Sequence, residues 1–109
     1  MWALQRDNLL RIEGTDIKVI QEINGTTLKN NLFSIELDIK ENIWLGMNQA
    51  LGCLKKGKWI IYETRNSGVI SDRINQLAID KEGNVWMGGQ VGGLGIFNPS
   101  GLDESYFYN

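Results

Sequence analysis

Short stretches of alternating apolar and polar residues recur along the chain. Phe33–Leu37 reads FSIEL and Asn75–Ile79 reads NQLAI, and in both the apolar side chains stand two residues apart. This alternation predicts strands with one buried face. Short apolar runs, NIWLG and NVWMG, follow the two stretches and predict second strands because they are rich in aromatic and branched residues. No stretch of ten or more residues keeps a helical period, so the chain is predicted to be all-β.

Two more strands are predicted in each unit of this pattern. LGCLK and LGIFN are the third strands, and WIIYE (Trp59–Glu63) and SYFYN (Ser105–Asn109) are the fourth. The sequences DKEGN, KKGK and NPSG lie between strands and are rich in turn-forming residues. Each unit is therefore predicted to be a four-stranded antiparallel sheet.

The unit repeats with a period of 42 residues. Leu32–Gly46 aligns with Ile74–Gly88 without a gap, and the same step back from Trp44 reaches Trp2. Four positions of the aligned stretches are identical, namely Asp38/Asp80, Asn42/Asn84, Trp44/Trp86 and Gly46/Gly88. Four strands in about 42 residues, with Trp in the second, are typical of a propeller blade. The predicted fold is a partial β-propeller of about two and a half four-stranded antiparallel blades.

The period also predicts the blade boundaries within one propeller. Residues 1–31 form an incomplete first blade that lacks its innermost strand, residues 32–73 the second blade, and residues 74–109 the third. Propellers need four or more blades to close, and 109 residues hold about 2.6 periods. The chain is thus expected to pack against further blades of a longer parent chain or against copies of itself. The first alternative, a fragment, is favoured.

Several repeated residues have a predicted structural role. Asp80 is expected to accept hydrogen bonds from backbone N–H groups two or three residues later in the turn that follows it, in which Gly83 fits a positive φ. Glu41 stands where Gly83 does, so either Asn42 takes the left-handed conformation or that turn is of another type. Trp86 is expected to lie flat between two blades, with Gly88 on the same face leaving room for the neighbouring sheet.

Composition and charge exclude several function classes. Lys and Arg total 11 and Asp and Glu total 13, for a net charge of −2, and no basic block stands out, so neither nucleic acid nor direct membrane contact is expected. The sequence has no His and one Cys, which removes His-dependent nucleophiles and Cys/His zinc sites. Cys53, aligned with Gly95, is interpreted as a small buried hydrophobe. No catalytic residue, metal site or cofactor is predicted.

A ligand site, if present, is expected on the loops at one end of the blades. The loops after the second strands and those that lead into the first strands alternate along the period, so they should converge on one rim. The candidate ligand-binding residues on these loops are Arg6, Asp7, Asn30, Asn31, Asn48, Gln49, Asp72, Arg73 and Gln90.

The repeat motif resembles the two-component regulator propeller repeat. The best match is NSGVISDRINQLAIDKEGNVWMGGQVGGLGIFNP, where the motif falls on Ile74, Asp80, Gly83, Asn84, Trp86, Gly88, Gly92, Gly93 and Leu94. The copy from Leu28 to Leu54 matches less well, and the first copy retains Trp2, Leu10 and Ile12. The resemblance implies the sensor region of a membrane-bound regulator, in an extracytoplasmic or periplasmic compartment, often of bacteria that degrade polysaccharides.

Three function hypotheses follow. The first is a non-catalytic ligand-sensing or scaffolding module in signal transduction, with carbohydrate as the ligand class that the resemblance favours. The second is a propeller lyase or glycoside-processing enzyme, for which Asp7, Asp72 or a tyrosine would have to be the acid or base. The third is a self-assembling propeller ring.

Overall fold

The chain folds into antiparallel sheets in the computed structural model, which describes residues 1–6, 8–63, 69–70 and 72–99. Twelve strands in four sheets, and no α-helix, are found in these ranges. The all-β prediction is therefore confirmed. None of the described residues belongs to a helix with the length and apolarity of a membrane span.

The strands follow one another in sequence order within each sheet. The N-terminal sheet contains β1 (Trp2–Gln5), β2 (Asn8–Glu13) and β3 (Asp16–Ile20), and a small hairpin contains β4 (Glu22–Ile23) and β5 (Thr26–Thr27). The middle sheet contains β6 (Ser34–Leu37), β7 (Ile43–Met47), β8 (Ala50–Lys55) and β9 (Lys58–Glu63). The C-terminal sheet contains β10 (Ile74–Ile79), β11 (Val85–Gly89) and β12 (Leu94–Phe97).

The strands predicted from the alternating pattern agree with these bounds to within one residue. The fourth strand predicted at Ser105–Asn109 lies outside the described residues. The small hairpin is not predicted by the pattern, because two-residue strands are too short to show alternation. In the described ranges the middle sheet alone has four strands.

The middle sheet is covered on both faces. Ile43, Leu45 and Met47 of β7 belong to one buried cluster that includes Leu9 of the N-terminal sheet and Ile23 of the hairpin. Trp44 and Cys53, on the other face, belong to a second buried cluster. The members of this second cluster from the C-terminal sheet are Ile74, Val85, Met87 and Phe97. All five residues of β7 are buried, which explains why this strand reads as a continuous apolar run rather than an alternating one.

Gly46 lets the C-terminal sheet approach the middle sheet. A Cβ atom on Gly46 would overlap the Ser34 hydroxyl and the Ile74 carbonyl oxygen. The Ser34 hydroxyl donates a hydrogen bond of 2.7 Å to that same carbonyl, and this bond links β6 to β10. The role predicted for Gly88 is therefore found at its equivalent, Gly46, and not at Gly88 itself. Near Gly88 the closest atoms belong to Gln76 of its own sheet.

The two aspartate turns have the same hydrogen bonds. Asp38 Oδ1 accepts from the backbone N–H groups of Lys40 and Asn42, and Oδ2 accepts from the Asn42 amide and from Trp44 Nε1, at 2.9–3.1 Å. Burial acts to raise the pKa of Asp38, but the hydrogen bonds from Trp44 and Asn42 outweigh it and leave this pKa below its ordinary value. A single carboxylate thus joins the turn to the tryptophan of the next strand.

Asp80 repeats the network in the C-terminal sheet. Its Oδ1 accepts from the N–H groups of Glu82 and Asn84, and its Oδ2 from the Asn84 amide and Trp86 Nε1, again at 2.9–3.1 Å. The Asn84 side chain has the largest effect on this carboxyl and, together with Trp86, lowers its pKa against the smaller effect of burial. Of the donors predicted two or three residues after the aspartate, the one two residues on is confirmed, while the second backbone donor to the carboxylate lies four residues on, at Asn84.

The two alternatives predicted for the Asp38 turn are both wrong. Glu41 itself takes the left-handed conformation, with φ 64°, where Gly83 has φ 85°. Glu41 N–H donates to the Asp38 carbonyl, as Gly83 N–H does to Asp80. The hydrogen bonds to the aspartate carboxylate hold the turn in one geometry, and the non-glycine residue adopts the required φ.

The alignment of Cys53 with Gly95 is corrected by the strand register. Trp44 pairs with Cys53, and Trp86 pairs with Ile96, so Cys53 and Ile96 are equivalent. The shift arises in the loops, since Met47 pairs with Ala50 across two residues, whereas Gly89 N–H donates to the Gly93 carbonyl across three. The hydrophobic role of Cys53 is confirmed, because its side chain is 1% exposed.

The prediction that Trp86 lies between two sheets is wrong for this structure. Trp44 is 3% exposed, whereas Trp86 is 40% exposed. Both indoles lie on the same face of their sheets, but among residues 1–6, 8–63, 69–70 and 72–99 only the face that carries Trp44 has another sheet packed against it. Trp59, which stands outside the repeat register, is partly buried against the N-terminal sheet and meets Trp2 edge to face at 6.1 Å.

Candidate ligand-binding rim

The loops predicted to carry ligand-binding residues meet at one end of the middle and C-terminal sheets. We call this end the rim and define it by Asn31, Asn48, Gln49, Asp72, Arg73 and Gln90. These residues come from the segments that precede β6 and β10 and from the turns that follow β7 and β11. Asn48 forms a β-bridge with Arg73, which ties the two sheets together at this end.

Backbone hydrogen bonds fix the rim loops relative to one another. The Gln49 N–H donates to the Asp72 carbonyl at 2.8 Å, and the Gln90 N–H donates to the Arg73 carbonyl at 3.0 Å. These bonds join the loops after two second strands to the segment that leads into β10. The backbone from which the rim side chains project is therefore fixed by hydrogen bonds between the loops.

Two of the candidate side chains are used to build the rim. Asn31 Oδ1 accepts a hydrogen bond from the Asn48 N–H at 2.9 Å. Asp72 accepts from the Arg73 N–H through Oδ1 at 2.7 Å and from the Val91 N–H through Oδ2 at 2.9 Å. Both carboxylate oxygens of Asp72 therefore orient backbone, which argues against the acid or base role that the enzyme hypothesis assigns to Asp72.

Arg73 presents its charge on the rim over an aromatic ring. Its guanidinium carbon lies 5.4 Å from the centre of the Phe33 ring, within the range of a cation–π contact. Arg73, Asn48, Gln49 and Gln90 are exposed. These four side chains are the ones that the rim presents to solvent.

A cleft of about 510 Å³ opens beside the rim, between the small hairpin and the end of the middle sheet. Its lining residues are Thr26, Asn31, Met47, Asn48, Gln49, Ala50, Ile61 and Glu63. The polar lining is mainly amides, with one hydroxyl and one carboxylate, and the apolar lining comes from Met47, Ala50 and Ile61. Such a surface can exchange several hydrogen bonds with a neutral polar ligand and cover its apolar side.

The structure adds Thr26, Met47, Ala50, Ile61 and Glu63 to the residues predicted from sequence. Ala50 pairs with Glu63 in the antiparallel register, which brings the end of β9 to the rim. The position of Glu63 could have been predicted from the strand at Trp59–Glu63. In an antiparallel pair, the last residue of this strand lies beside the first residue of β8. Thr26 lies in the hairpin that the pattern does not predict.

Of the remaining candidates, Arg6 and Asn30 are not among the described residues that line the cleft. Arg6 is in the turn between β1 and β2 with φ 59°, and Asn30 precedes Asn31 with φ 56°. The turn that contains Arg6 is topologically equivalent to those at Asn48 and Gln90 but belongs to the N-terminal sheet. Asp7 lies outside the described residues.

No other cluster of reactive groups stands out in the described ranges of the chain. No group of three or more Cys, Asp or Glu residues in these ranges could hold a metal ion. Burial, followed by the nearby Asp38 carboxylate, raises the pKa of the Cys53 thiol to about 12. The thiol is therefore protonated and enclosed, which is the opposite of a reactive cysteine.

Fold and site together define a repeat protein of stacked antiparallel sheets with a polar rim. Residues 68–90 match the family model described as two component regulator propeller. This stretch contains β10, the Asp80 turn and β11, so the resemblance stated from the motif is confirmed there. No curated protein and no solved structure is significantly similar to the chain.

Proposed function

We propose that the chain is a segment of a β-propeller in the sensor region of a two-component regulator, and that its rim binds a ligand without catalysing a reaction. In this proposal the N-terminal, middle and C-terminal sheets are the cores of the blades predicted at 1–31, 32–73 and 74–109. The family match at residues 68–90 and the packing of the middle sheet between the other two support it.

The observation that carries the ligand-binding proposal is the fixed polar rim beside its cleft. Loops from two sheets are joined there by backbone hydrogen bonds, and exposed amides stand beside an apolar floor. Amides donate and accept hydrogen bonds, which suits ligands with many hydroxyl groups. A carbohydrate is therefore the ligand class that the rim chemistry favours, with neutral sugars preferred near the Glu63 carboxylate.

Titration calorimetry with neutral cello- and xylo-oligosaccharides and acidic galacturono-oligosaccharides tests this proposal. We expect a neutral series to bind, and Gln49→Ala and Asn48→Ala each to weaken binding about 3- to 10-fold, since one hydrogen bond contributes about 0.5–1.5 kcal/mol. Lys81→Ala, an exposed change in the Asp80 turn at the opposite end of the strands, is the matched control and should bind as the unchanged chain does. Binding that ignores both rim variants would contradict the assignment of the rim, and the absence of binding to every sugar would contradict the ligand class.

A further inference from the structure

Within the described part of the chain, the two end sheets leave apolar faces uncovered. On the C-terminal sheet, Trp86 is 40%, Ile96 49% and Leu94 73% exposed, and these three side chains share one face because Trp86 pairs with Ile96 and Gly88 with Leu94. Their cross-strand neighbours on that face are Ala78 and Gln76. We call the surface formed by these five residues the leading face. None of the five is charged.

The N-terminal sheet exposes the second surface, on the side away from the middle sheet. Ile17 is 61% and Val19 52% exposed, and they pair with Ile12 and Leu10 of β2. Leu10 in turn pairs with Ala3 of β1. We call this surface the trailing face. The charged residues of β2 and β3, namely Arg11, Glu13, Asp16 and Lys18, alternate onto the opposite side of the sheet.

Inside the chain, the N-terminal sheet packs one face against the middle sheet, and the middle sheet packs one face against the C-terminal sheet. The strand registers show that the leading face and the trailing face are equivalent to the two surfaces that meet in such a contact. Trp2 pairs with Arg11, Trp44 with Cys53 and Trp86 with Ile96, so the three tryptophans are equivalent. Trp2 faces the middle sheet and Trp44 faces the C-terminal sheet. Trp86 therefore occupies, in its own sheet, the position at which Trp2 and Trp44 are covered by the sheet that follows theirs.

The trailing face is equivalent to the surface that receives Trp2. Ile12 pairs with Ile17 as Leu54 pairs with Trp59, and Leu10 pairs with Val19 as Gly52 pairs with Ile61. Ile17 thus occupies the position of Trp59, which meets the Trp2 ring at 6.1 Å. Among the described residues, the trailing face alone repeats this receiving surface without another sheet on it.

We propose that the leading face binds the trailing face of a second copy of this chain, and so continues the packing of the N-terminal, middle and C-terminal sheets. The partner of Trp86 is then the surface around Ile12 and Ile17 of the next copy. The two surfaces differ, so the contact is heterologous and each copy keeps one face open for a further copy. This inference rests on the proposed stacking of blades but not on the proposed ligand.

Sedimentation velocity and light scattering of the 109-residue chain, without ligand, test the proposal. We expect the mass to rise with concentration beyond a single chain. Ile96→Glu on the leading face and Val19→Glu on the trailing face should each abolish this rise, because burying an unpaired carboxylate opposes the contact. Lys18→Glu, next to Val19 but on the opposite face, is the matched control and should associate as the unchanged chain does.

Mixing the two variants tests the heterologous geometry. Each variant retains one intact face, so an equimolar mixture of Ile96→Glu and Val19→Glu should give a dimer and no larger species. A monomeric unchanged chain, a single variant that still associates, or a mixture that stays monomeric although the unchanged chain associates would each overturn the proposal. Leu94→Glu and Ile17→Glu replace the two variants if circular dichroism shows that either is unfolded. Sugar binding is measured separately, so failure here leaves the ligand proposal standing.

Discussion

At the scale of single residues, one carboxylate per repeat organises a turn and anchors a tryptophan. Asp38 and Asp80 each accept four hydrogen bonds, from two backbone N–H groups, an asparagine amide and an indole. These bonds favour the ionised form, which is why both pKa values are lowered. The 42-residue repeat of these side chains is explained by this geometry.

The lowered pKa values predict that the folded chain loses stability in acid. A carboxyl group whose pKa is lower in the folded state contributes stability above its unfolded pKa and loses it as pH falls through the folded value. We expect the free energy of unfolding, measured by urea titration, to fall as pH decreases below about 4. Asp80→Asn should be less stable at neutral pH and show a weaker dependence on pH than the unchanged chain. An unaltered acid dependence in Asp80→Asn would contradict the role of this carboxylate.

Glu41 gives a second prediction at the residue scale. A left-handed φ costs an L-residue about 1 kcal/mol, and glycine avoids this cost. Glu41→Gly should therefore stabilise the chain by about 0.5–1 kcal/mol, although it adds flexibility to the unfolded state. The reciprocal change, Gly83→Glu, should destabilise it by a similar amount. The midpoints of urea unfolding measure both effects, provided that the dependence of the unfolding free energy on urea concentration is unchanged. The two substitutions must change the stability in opposite directions, and changes of the same sign would contradict the assigned conformation.

At the scale of elements, the same strand pattern has different surroundings in each copy. β7 and β11 carry equivalent tryptophans, but β7 is covered on both faces and β11 on one. Trp44 stacks on Tyr62 with ring centres 6.1 Å apart, and Tyr62 contacts Phe97 of the C-terminal sheet. The repeat therefore predicts the strand and the direction of its side chains, while the number of neighbouring sheets decides their burial.

This difference predicts unequal effects of the two tryptophan substitutions. Trp44→Ala should lower the free energy of unfolding by about 3–5 kcal/mol, because it removes a large side chain between two sheets. Trp86→Ala should cost clearly less at concentrations where the chain is monomeric, since Trp86 is 40% exposed. Both changes remove the same indole hydrogen bond, so the difference isolates packing. Trp44→Phe keeps the comparison measurable if the alanine variant does not fold, and equal losses would contradict the assigned burial.

At the scale of the whole molecule, the period of the sequence predicts more than single residues do. Strands, turns and the meeting of the loops at one end follow from alternation and from the 42-residue step. The equivalence of Cys53 with Ile96 does not follow, because a one-residue difference in loop length shifts the third strand. The small hairpin and the cleft are also missed, since strands of two residues leave no alternation and a cleft depends on how sheets pack.

The role of the rim residues is only partly predictable for a related reason. Sequence position indicates that four residues lie at the same end of the sheets, namely Asn31, Asn48, Asp72 and Arg73. It does not indicate that Asn31 and Asp72 use their oxygen atoms to accept from backbone N–H groups while Asn48 and Arg73 are exposed to solvent. This distinction arises from loop geometry, which has no signature in residue type.

The single cysteine, enclosed between the middle and C-terminal sheets, has one further consequence. A thiol-specific reagent can reach Cys53 only when these two sheets separate, because the side chain is 1% exposed. The modification rate of the native chain thus reports the opening that exposes this contact, without any engineered label. Comparison with the rate in urea would show whether the sheets separate individually or the molecule opens as a whole.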